Sequence, residues 1–328
     1  MKHIGVLVCL LASAGTALAQ LPPDTHLSAP IQFKSLTILP LIKDANPLAG
    51  KAQYLTLAEG LAKKQVDVSE RKEGASVNQV LVANKSDKSL LLLGGEVILG
   101  GQQDRIIGKD TIIEPHEQRT VGVFCVEHGR WTGGKQFNAA GGLAEGKMRV
   151  RAKYRANQQE VWDEVAKKNA ALGAQANNTS GTYRKLASGE EGQKAVKAYR
   201  DAIGAALDKV PDKKKIVGVI AALNGRVTSV DVFATPELFA SYREKLLDSI
   251  YITAADVPVT DGAKHAVSKG EVDALILKVE SAPAEVSIDG KAARTVEKKH
   301  KDAVGSKVEQ KGAPAAAPPV YQSYQANE

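Results

Sequence analysis

The sequence predicts an α+β fold in which strands, helices and a final hairpin occupy separate blocks of the chain. Residues 30–135 are rich in β-branched and alternating apolar residues, and residues 150–210 repeat apolar residues at spacings of three and four. Residues 216–252 have the pattern of a hairpin followed by a helix. This order differs from the regular alternation of a doubly wound sheet, so we expect one compact domain or two closely packed lobes.

The β-rich N-terminal half is expected to form a sandwich or a barrel. Turn-forming residues separate its apolar runs, and a short helix is possible at about residues 55–64. The predicted strands are Ile31 to Ile42, Val77 to Val82, Ser89 to Leu93, Ile106 to Ile113 and Thr120 to Val126.

The helical middle contains two apolar stripes. Val161, Val165 and Leu172 approximate one helix face, and Val196, Tyr199, Ile203 and Leu207 form the second stripe. After it, Asn224-Gly225 lies between two extended runs, which is the strongest short-range signal for a hairpin. Thr235-Pro236 then has the chemistry of a helix start.

The two ends of the chain are predicted to lie outside this domain. Residues 1–19 have a positive start, a short apolar core and an Ala-x-Ala site, so we expect a cleaved signal peptide and export to the periplasm or beyond. Residues 20–29 are expected to be an unstructured lead-in, and residues 256–290 are poorly defined. The Lys-, Ala- and Pro-rich residues 291–328 are predicted to be a flexible tail.

The composition narrows the class of partner. The net charge of +7 is spread along the chain and aromatic residues are scarce, so we expect no nucleic-acid partner, but an anionic small molecule or envelope polymer is possible. No segment after the signal peptide is long and apolar enough to span a membrane. Cys125 is the one cysteine left after cleavage, and it is either a small buried residue or a nucleophile.

One polar stretch, from Glu96 to Trp131, interrupts the apolar strands and is the candidate site. Its carboxylates are candidate acid–base groups, its arginines suit a carboxylate or phosphate, and its tryptophan suits stacking on a ligand. The candidate catalytic residues are Glu96, Asp104 and Glu127, and the candidate ligand-binding residues are Gln103, Arg105, Arg130 and Trp131. The same residues could instead form a structural arginine–carboxylate network.

No motif identifies a cofactor. The glycine pairs at 94–95 and 100–101 match neither a dinucleotide nor a Walker pattern, and they are either turns or points of close ligand approach. Glu127 and His128 would point to opposite faces of a strand, and His116 supplies no compact histidine pair, so we predict no metal site.

The motifs resemble a known family. The segments at 94–105, containing Gln-Asp-Arg, and at 126–131, ending Gly-Arg-Trp, are similar to the signature of the ARG-and-rhodanese-phosphatase-superfamily-associated protein domain family. The segments at 159–162 and 222–233 also resemble that family, and the resemblance covers about residues 30–255. The family's genomic association with ADP-ribose-related enzymes implies nucleotide-sugar or phosphate-bearing ligands.

Two functions therefore stay open. The first is a ligand-binding or hydrolytic site for an anionic small molecule or glycan, with Arg105 and Arg130 holding the anion and Glu127 or Asp104 acting as the base. The second is a non-catalytic envelope protein in which the polar residues are structural.

Overall fold

A computed structural model gives the fold of the protein. The predicted signal peptide lies outside the residues that the structure describes, as do Val77 and Asn177. The described residues are 20–44, 54–71, 78–176, 178–314 and 317–327.

The strands begin near residue 25 and continue almost to the end of the chain. In chain order they are β1 (Thr25–Leu27), β2 (Ile31–Phe33), β3 (Leu36–Lys43), β4 (Leu55–Thr56), β5 (Val66–Glu70), β6 (Gln79–Asn84), β7 (Leu90–Leu92), β8 (Glu96–Gly100), β9 (Arg105–Ile107), β10 (Thr111–Ile113), β11 (Gln118–Cys125), β12 (Gln136–Leu143), β13 (Ile216–Leu223), β14 (Arg226–Phe233), β15 (Ala284–Asp289), β16 (Ala293–His300), β17 (Ala303–Gln310) and β18 (Tyr321–Ala326).

The helices concentrate in the middle of the chain, as predicted. They are α1 (Leu57–Ala62), α2 (Gly146–Val150), α3 (Gln158–Ala171), α4 (Arg184–Ala187), α5 (Glu190–Tyr199), α6 (Ala205–Leu207), α7 (Pro236–Ala254) and α8 (Lys269–Glu280). A π-helical turn at Arg151–Arg155 continues α2, and another at Arg200–Gly204 joins α5 to α6. Short 3₁₀ turns lie at Lys213–Lys215 and Asp261–Lys264. No helix in the described ranges is long and apolar enough to cross a membrane.

A closed six-stranded barrel forms most of the N-terminal half, which confirms the predicted β-rich region. Its strands follow one another as β11, β6, β5, β12, β8 and β9, and β9 pairs back to β11. Alternate residues of these strands form one apolar cluster that includes Val68, Val82, Ile107 and Phe137. The same cluster includes Leu90 of the small β10–β7–β4 sheet, so that sheet lies against the barrel.

A nine-stranded sheet forms the second large layer. Its order is β1–β3–β13–β14–β18–β17–β16–β15, and β2 pairs with β3. The predicted hairpin joins β13 to β14: Asn224 and Gly225 have φ of 49° and 75°, as a type I′ turn requires. The predicted helix α7 follows, with Thr235 accepting a hydrogen bond from the Leu238 amide at 3.2 Å. Both the hairpin and its helix are confirmed.

The C-terminal residues depart from the prediction. The prediction of a flexible tail at 291–328 is wrong for β16, β17 and β18, because these strands pair inside the nine-stranded sheet. Several buried positions of these strands are polar, including Thr295, Glu297, Ser306 and Ser323, so the usual apolar alternation is interrupted in the sequence. Residues 315, 316 and 328 lie outside the described chain.

Two neighbouring segments are also more ordered than expected. β1 falls in the predicted unstructured lead-in and pairs with β3. Residues 256–290, which were poorly defined in the prediction, contain α8, and Ser268 and Glu271 form a reciprocal capping box at its start.

Candidate functional site

One end of the barrel collects most of the predicted site residues. β8 ends at Gly100, β9 starts at Arg105, and Arg105 is the register partner of Cys125 at the end of β11. The loops leaving these strands therefore lie side by side. Six of the seven predicted residues come together here, namely Gln103, Asp104, Arg105, Glu127, Arg130 and Trp131.

Gly101 allows the first of these loops to turn tightly. Its φ is 56°, and a Cβ atom at this position would meet the ring of Phe137 and a carboxylate oxygen of Glu70. A residue with a side chain would therefore be both strained and crowded. This glycine thus serves the turn that brings Asp104 back toward Arg130.

Asp104 is the centre of the cluster and has no solvent exposure. Its Oδ1 accepts hydrogen bonds from the Gly100 amide at 2.9 Å, from Nη2 of Arg130 at 3.2 Å and from Nη2 of Arg184 at 2.6 Å. Its Oδ2 accepts from Nε of Arg184 at 2.9 Å and from the Thr182 hydroxyl at 3.3 Å. Both oxygens are therefore committed to the protein.

Glu127 is similarly engaged. Its Oε2 accepts from Nε of Arg130 at 2.7 Å and from the Asp104 amide at 3.3 Å. Its Oε1 accepts from the hydroxyl of Ser180 at 2.7 Å. The side chain is buried, so the carboxylate links the two barrel loops to the segment that precedes α4.

Arg130 uses each of its five N–H groups within the protein. Besides the two carboxylates, it donates from Nη1 to the carbonyls of Gly101 at 3.1 Å and Thr132 at 2.9 Å. Nη2 also reaches the Gly100 carbonyl at 3.4 Å. Asp104, Glu127, Arg130 and Arg184 together form what we call the carboxylate–arginine network.

Arg184, at the start of α4, was missed by the sequence analysis. Its two bonds to Asp104 form a bidentate pair, and this hydrogen bonding raises the pKa of the guanidinium. Its side chain is 47% exposed, in contrast to the fully buried Asp104. The only sequence signal nearby was the polar loop ahead of it, and nothing there indicated a partner 80 residues earlier.

Arg105 points into the end of the barrel. It follows the same alternation as Ile107, it is fully buried, and its Nη1 donates to the Gln103 amide oxygen at 3.3 Å. Nη2 lies 3.5 Å from a carboxylate oxygen of Glu70, which the sequence analysis did not identify. The ring of Trp131 lies over the guanidinium, 5.9 Å from its carbon, and is 48% exposed.

Glu96 does not join the other six residues. It lies at the opposite end of β8, where its Oε2 accepts from the Leu93 amide at 2.8 Å and its Oε1 contacts Lys245 of α7. Glu96 and Asp104 are close in the sequence, but strand β8 places them at opposite ends of the barrel. They therefore cannot contact the same small ligand in this arrangement.

The histidines and the cysteine lie outside the network. His116 contacts Asp87 at 2.9 Å, and the ring of His128 packs edge-on against Trp162 with the centroids 4.5 Å apart. Cys125 is buried, and burial raises the pKa of its thiol. Over the described part of the chain, no three His, Cys, Asp or Glu side chains are grouped so that they could hold a metal ion.

A cleft opens beside the network, with a volume of about 480 Å³. Arg130, Lys135 and Arg184 supply charged groups to its lining, and the remaining lining residues are Gly100, Gly101, Gly133, Gly134, Gln136 and Asn138. No acidic side chain is among these lining residues. The cleft is therefore open, basic and partly walled by backbone.

A second group of charges lies inside the protein, between the barrel and the nine-stranded sheet. Lys153 donates to Asp110 at 2.7 Å, and Arg149 donates to Asp231 at 3.0 Å. All four side chains are at most 1% exposed. Burial alone would lower the pKa of Lys153, but the adjacent Asp110 charge outweighs it and the pKa is raised. These four residues are the buried ion-pair cluster.

Comparison with known proteins gives one relationship. No curated protein and no solved structure matches the chain. The match to a protein family extends over residues 24–316, a wider range than the 30–255 that the motifs indicated. This range includes the carboxylate–arginine network and the buried ion-pair cluster. The chain therefore belongs to the family described as the ARG and Rhodanese-Phosphatase-superfamily-associated Protein domain.

Proposed function

We propose that this chain is an exported protein that binds an anionic small molecule in the basic cleft beside the carboxylate–arginine network. The proposal rests on the charge of the cleft lining, which contains Arg130, Lys135 and Arg184 and no acidic residue. A phosphate- or carboxylate-bearing ligand would meet only positive or neutral groups there.

Arg184 and Lys135 are the groups best placed to contact the ligand. Arg184 holds Asp104 through Nε and Nη2, and its Nη1 has no hydrogen-bond partner among the described residues. Lys135 is exposed and makes no ion pair within the same ranges. Arg130 has no N–H left to donate, so we assign it the role of holding the Gly100–Gly101 carbonyls in place.

Binding is favoured over hydrolysis by the state of the two carboxylates. A general base needs a lone pair directed at the water or group it deprotonates. Asp104 accepts five hydrogen bonds and Glu127 accepts three, all from the protein. We therefore assign both carboxylates to positioning the arginines.

A second candidate function has its own support. The completeness of the network also fits a non-catalytic envelope protein in which these residues only pin the loops. In that case the exposed Trp131 would be a contact for an envelope polymer, because an aromatic face suits a sugar ring.

A thermal-shift measurement separates the two. The secreted form, whose N-terminus we expect at Gln20, is titrated with inorganic phosphate, ADP-ribose, a sugar phosphate and an acidic glycan. A ligand that binds only the folded state raises the melting temperature by mass action. We expect a shift with a phosphate-bearing compound that is lost in Lys135→Gln and in Arg184→Lys, which keeps a charge for Asp104 but removes the outward Nη1.

Lys194→Gln provides the matched control, because Lys194 is an exposed lysine on α5 whose partner is Glu190. This variant should keep the full ligand shift. If none of the phosphate compounds moves the melting temperature, or if the shift survives in both cleft variants, the binding proposal fails. A shift with the acidic glycan that is lost only in Trp131→Ala would favour the second candidate.

A further inference from the structure

A narrow crevice lies on another part of the molecule, between the nine-stranded sheet and helices α2 and α7. Its lining shares no residue with the basic cleft. Its cavity volume is only about 50 Å³, against about 480 Å³ for the basic cleft. The crevice is thus a slot that fits a thin, extended molecule better than a bulky one.

The floor of the slot is apolar. Leu36 of β3, Ala221 and Leu223 of β13, and Ile250 of α7 line it, and small polar side chains from β14 and α7 complete the wall. Such a floor suits small aliphatic groups. The polar groups in the slot restrict the chemistry of the ligand further.

Gln325 of β18 is the most unusual group in the lining. It is 2% exposed, and neither its Nε2 nor its Oε1 has a hydrogen-bond partner among the described residues. Alternation along β18 places it on the same sheet face as Tyr321 and Ser323, toward α2. A buried amide with both ends unpaired is costly, so it calls for a partner that offers a donor and an acceptor together.

Two further unpaired atoms belong to residues that line the same slot. They are Nε of Arg149, a donor, and Oδ1 of Asn327, an acceptor, and neither has a partner in the described ranges. Unsatisfied groups from α2, from β18 and from the residue that follows β18 thus converge on one crevice. This convergence is what a preformed binding site shows before its ligand arrives.

The rim of the slot is basic. Arg151 and Arg155 line it, and no acidic residue is part of the lining; Arg149 also lines the slot but is buried and paired with Asp231. Glu160 is shared by Arg151 at 3.2 Å and Arg155 at 3.7 Å, so one carboxylate faces two guanidinium groups. An excess of positive charge therefore remains at the opening.

We infer that this slot binds a short peptide that carries small aliphatic side chains and a free carboxylate. A peptide group offers the paired donor and acceptor that the Gln325 amide lacks. The aliphatic side chains would lie on the Leu36–Leu223 floor, and the carboxylate would meet the basic rim. An extended dipeptide also has the narrow cross-section that the slot requires.

Calorimetric titration with N-acetyl-alanyl-alanine tests this inference. We expect saturable one-to-one binding to the wild-type protein, and binding weakened by roughly tenfold or more in Gln325→Leu, as the loss of a hydrogen-bonded pair implies. Because the Gln325 amide is unpaired in the free protein, this variant should have an unchanged or higher melting temperature. A purely structural glutamine would instead lower it.

Gln322→Leu is the matched control, since Gln322 lies on the same strand but on the opposite face, where it contacts Tyr324. It should leave peptide binding unchanged. Arg151→Gln is a second test that leaves β18 intact. This variant should bind the peptide acid more weakly than the wild-type protein does, but it should bind the C-terminal amide of the same peptide equally well.

Four results would overturn the inference, three of them with the peptide and its variants. These three are no binding of the acid to the wild-type protein, equal binding of the acid and the C-terminal amide, and undiminished binding in both Gln325→Leu and Arg151→Gln. Tight binding of decanoate with no binding of the dipeptide would also overturn it, because the slot would then be an acyl-chain site. None of these outcomes depends on the phosphate compounds used for the basic cleft.

Discussion

The carboxylate–arginine network and the buried ion-pair cluster each combine two carboxylates with two cationic side chains, but in different settings. In the network, Arg184 is half-exposed and stands at the edge of a cleft, while Asp104 is fully buried behind it. In the cluster, both members of each pair are inside the protein, and Lys153 has no solvent exposure. The network can therefore offer part of a charged group to a ligand, whereas the buried cluster holds two layers of the fold together.

The difference has an energetic consequence. Water screens the exposed side of the network, so its pairs contribute less to stability than their geometry implies. Water does not reach the charges in the cluster, so removing one member of a pair leaves the other buried and unpaired. Disruption of the cluster should thus cost more free energy of unfolding than disruption of the network.

The largest effect is expected from Lys153→Met. This change leaves Asp110 as a buried carboxylate without its cation, and we expect a loss of about 3 to 5 kcal/mol in the free energy of unfolding. Urea denaturation at neutral pH measures it. Lys194→Met, at an exposed pair on α5, is the control and should leave the unfolding midpoint unchanged. Equal midpoints for the two variants would contradict the assigned role of Lys153.

An intermediate effect is expected from Asp104→Asn. The substitution keeps the size of the side chain but removes the charge that faces Arg130 and Arg184. We expect a cost of about 2 to 3 kcal/mol, reduced by the exposure of Arg184, and about 1 to 2 kcal/mol for Glu127→Gln. Chemical denaturation of both variants checks the order. A loss larger than that of Lys153→Met would reverse the comparison.

The smallest effect concerns an exposed carboxylate outside both groups. Hydrogen bonds from the amide and hydroxyl of Ser268, both at 2.8 Å, lower the pKa of Glu271 to about 2. Since the pKa is lower in the folded state, this contribution to stability is present above the ordinary glutamate pKa and is lost as the pH falls through about 2. NMR titration of the Glu271 side chain measures this value.

In Ser268→Ala the pKa of Glu271 should rise only part of the way toward its ordinary value, because the hydroxyl donor is removed while the backbone amide of residue 268 stays. Ser281→Ala, at the other end of α8, removes a hydroxyl that donates to the Lys278 carbonyl and should leave the Glu271 pKa in place. A Glu271 pKa that is the same in all three proteins would show that the capping box does not hold in solution.

Sequence patterns predicted the elements whose signals are local. Asn224-Gly225 indicated the hairpin because the turn needs two positive φ angles, and β-branched runs indicated the barrel half. Six of the seven polar residues predicted as a site also lie together at one end of the barrel. Their pattern in the sequence did not reveal that Arg130 is fully occupied by the protein, because three of its five acceptors are backbone carbonyls.

What the sequence could not predict depends on long-range contacts. Arg184 meets Asp104 across 80 residues, and Lys153 meets Ser323 across 170, so no spacing rule connects them. The last strands were assigned to a tail because residues 291–328 are rich in lysine, alanine and proline. Several of their buried positions are also polar. That polar character makes sense only once Asp110 and Lys153 are seen to lie against Ser306 and Ser323.

The position of β18 also constrains how the chain assembles. It is the last strand in sequence among those described, yet it lies between β14 and β17, near the centre of the nine-stranded sheet. Until residues 321–326 are synthesised, β14 and β17 each present an open edge, and open edges of this kind are where chains pair wrongly. Completion of the sheet also needs contacts across much of the chain, which slow folding. A growing chain therefore cannot complete the nine-stranded sheet until the segment that forms β18 is available.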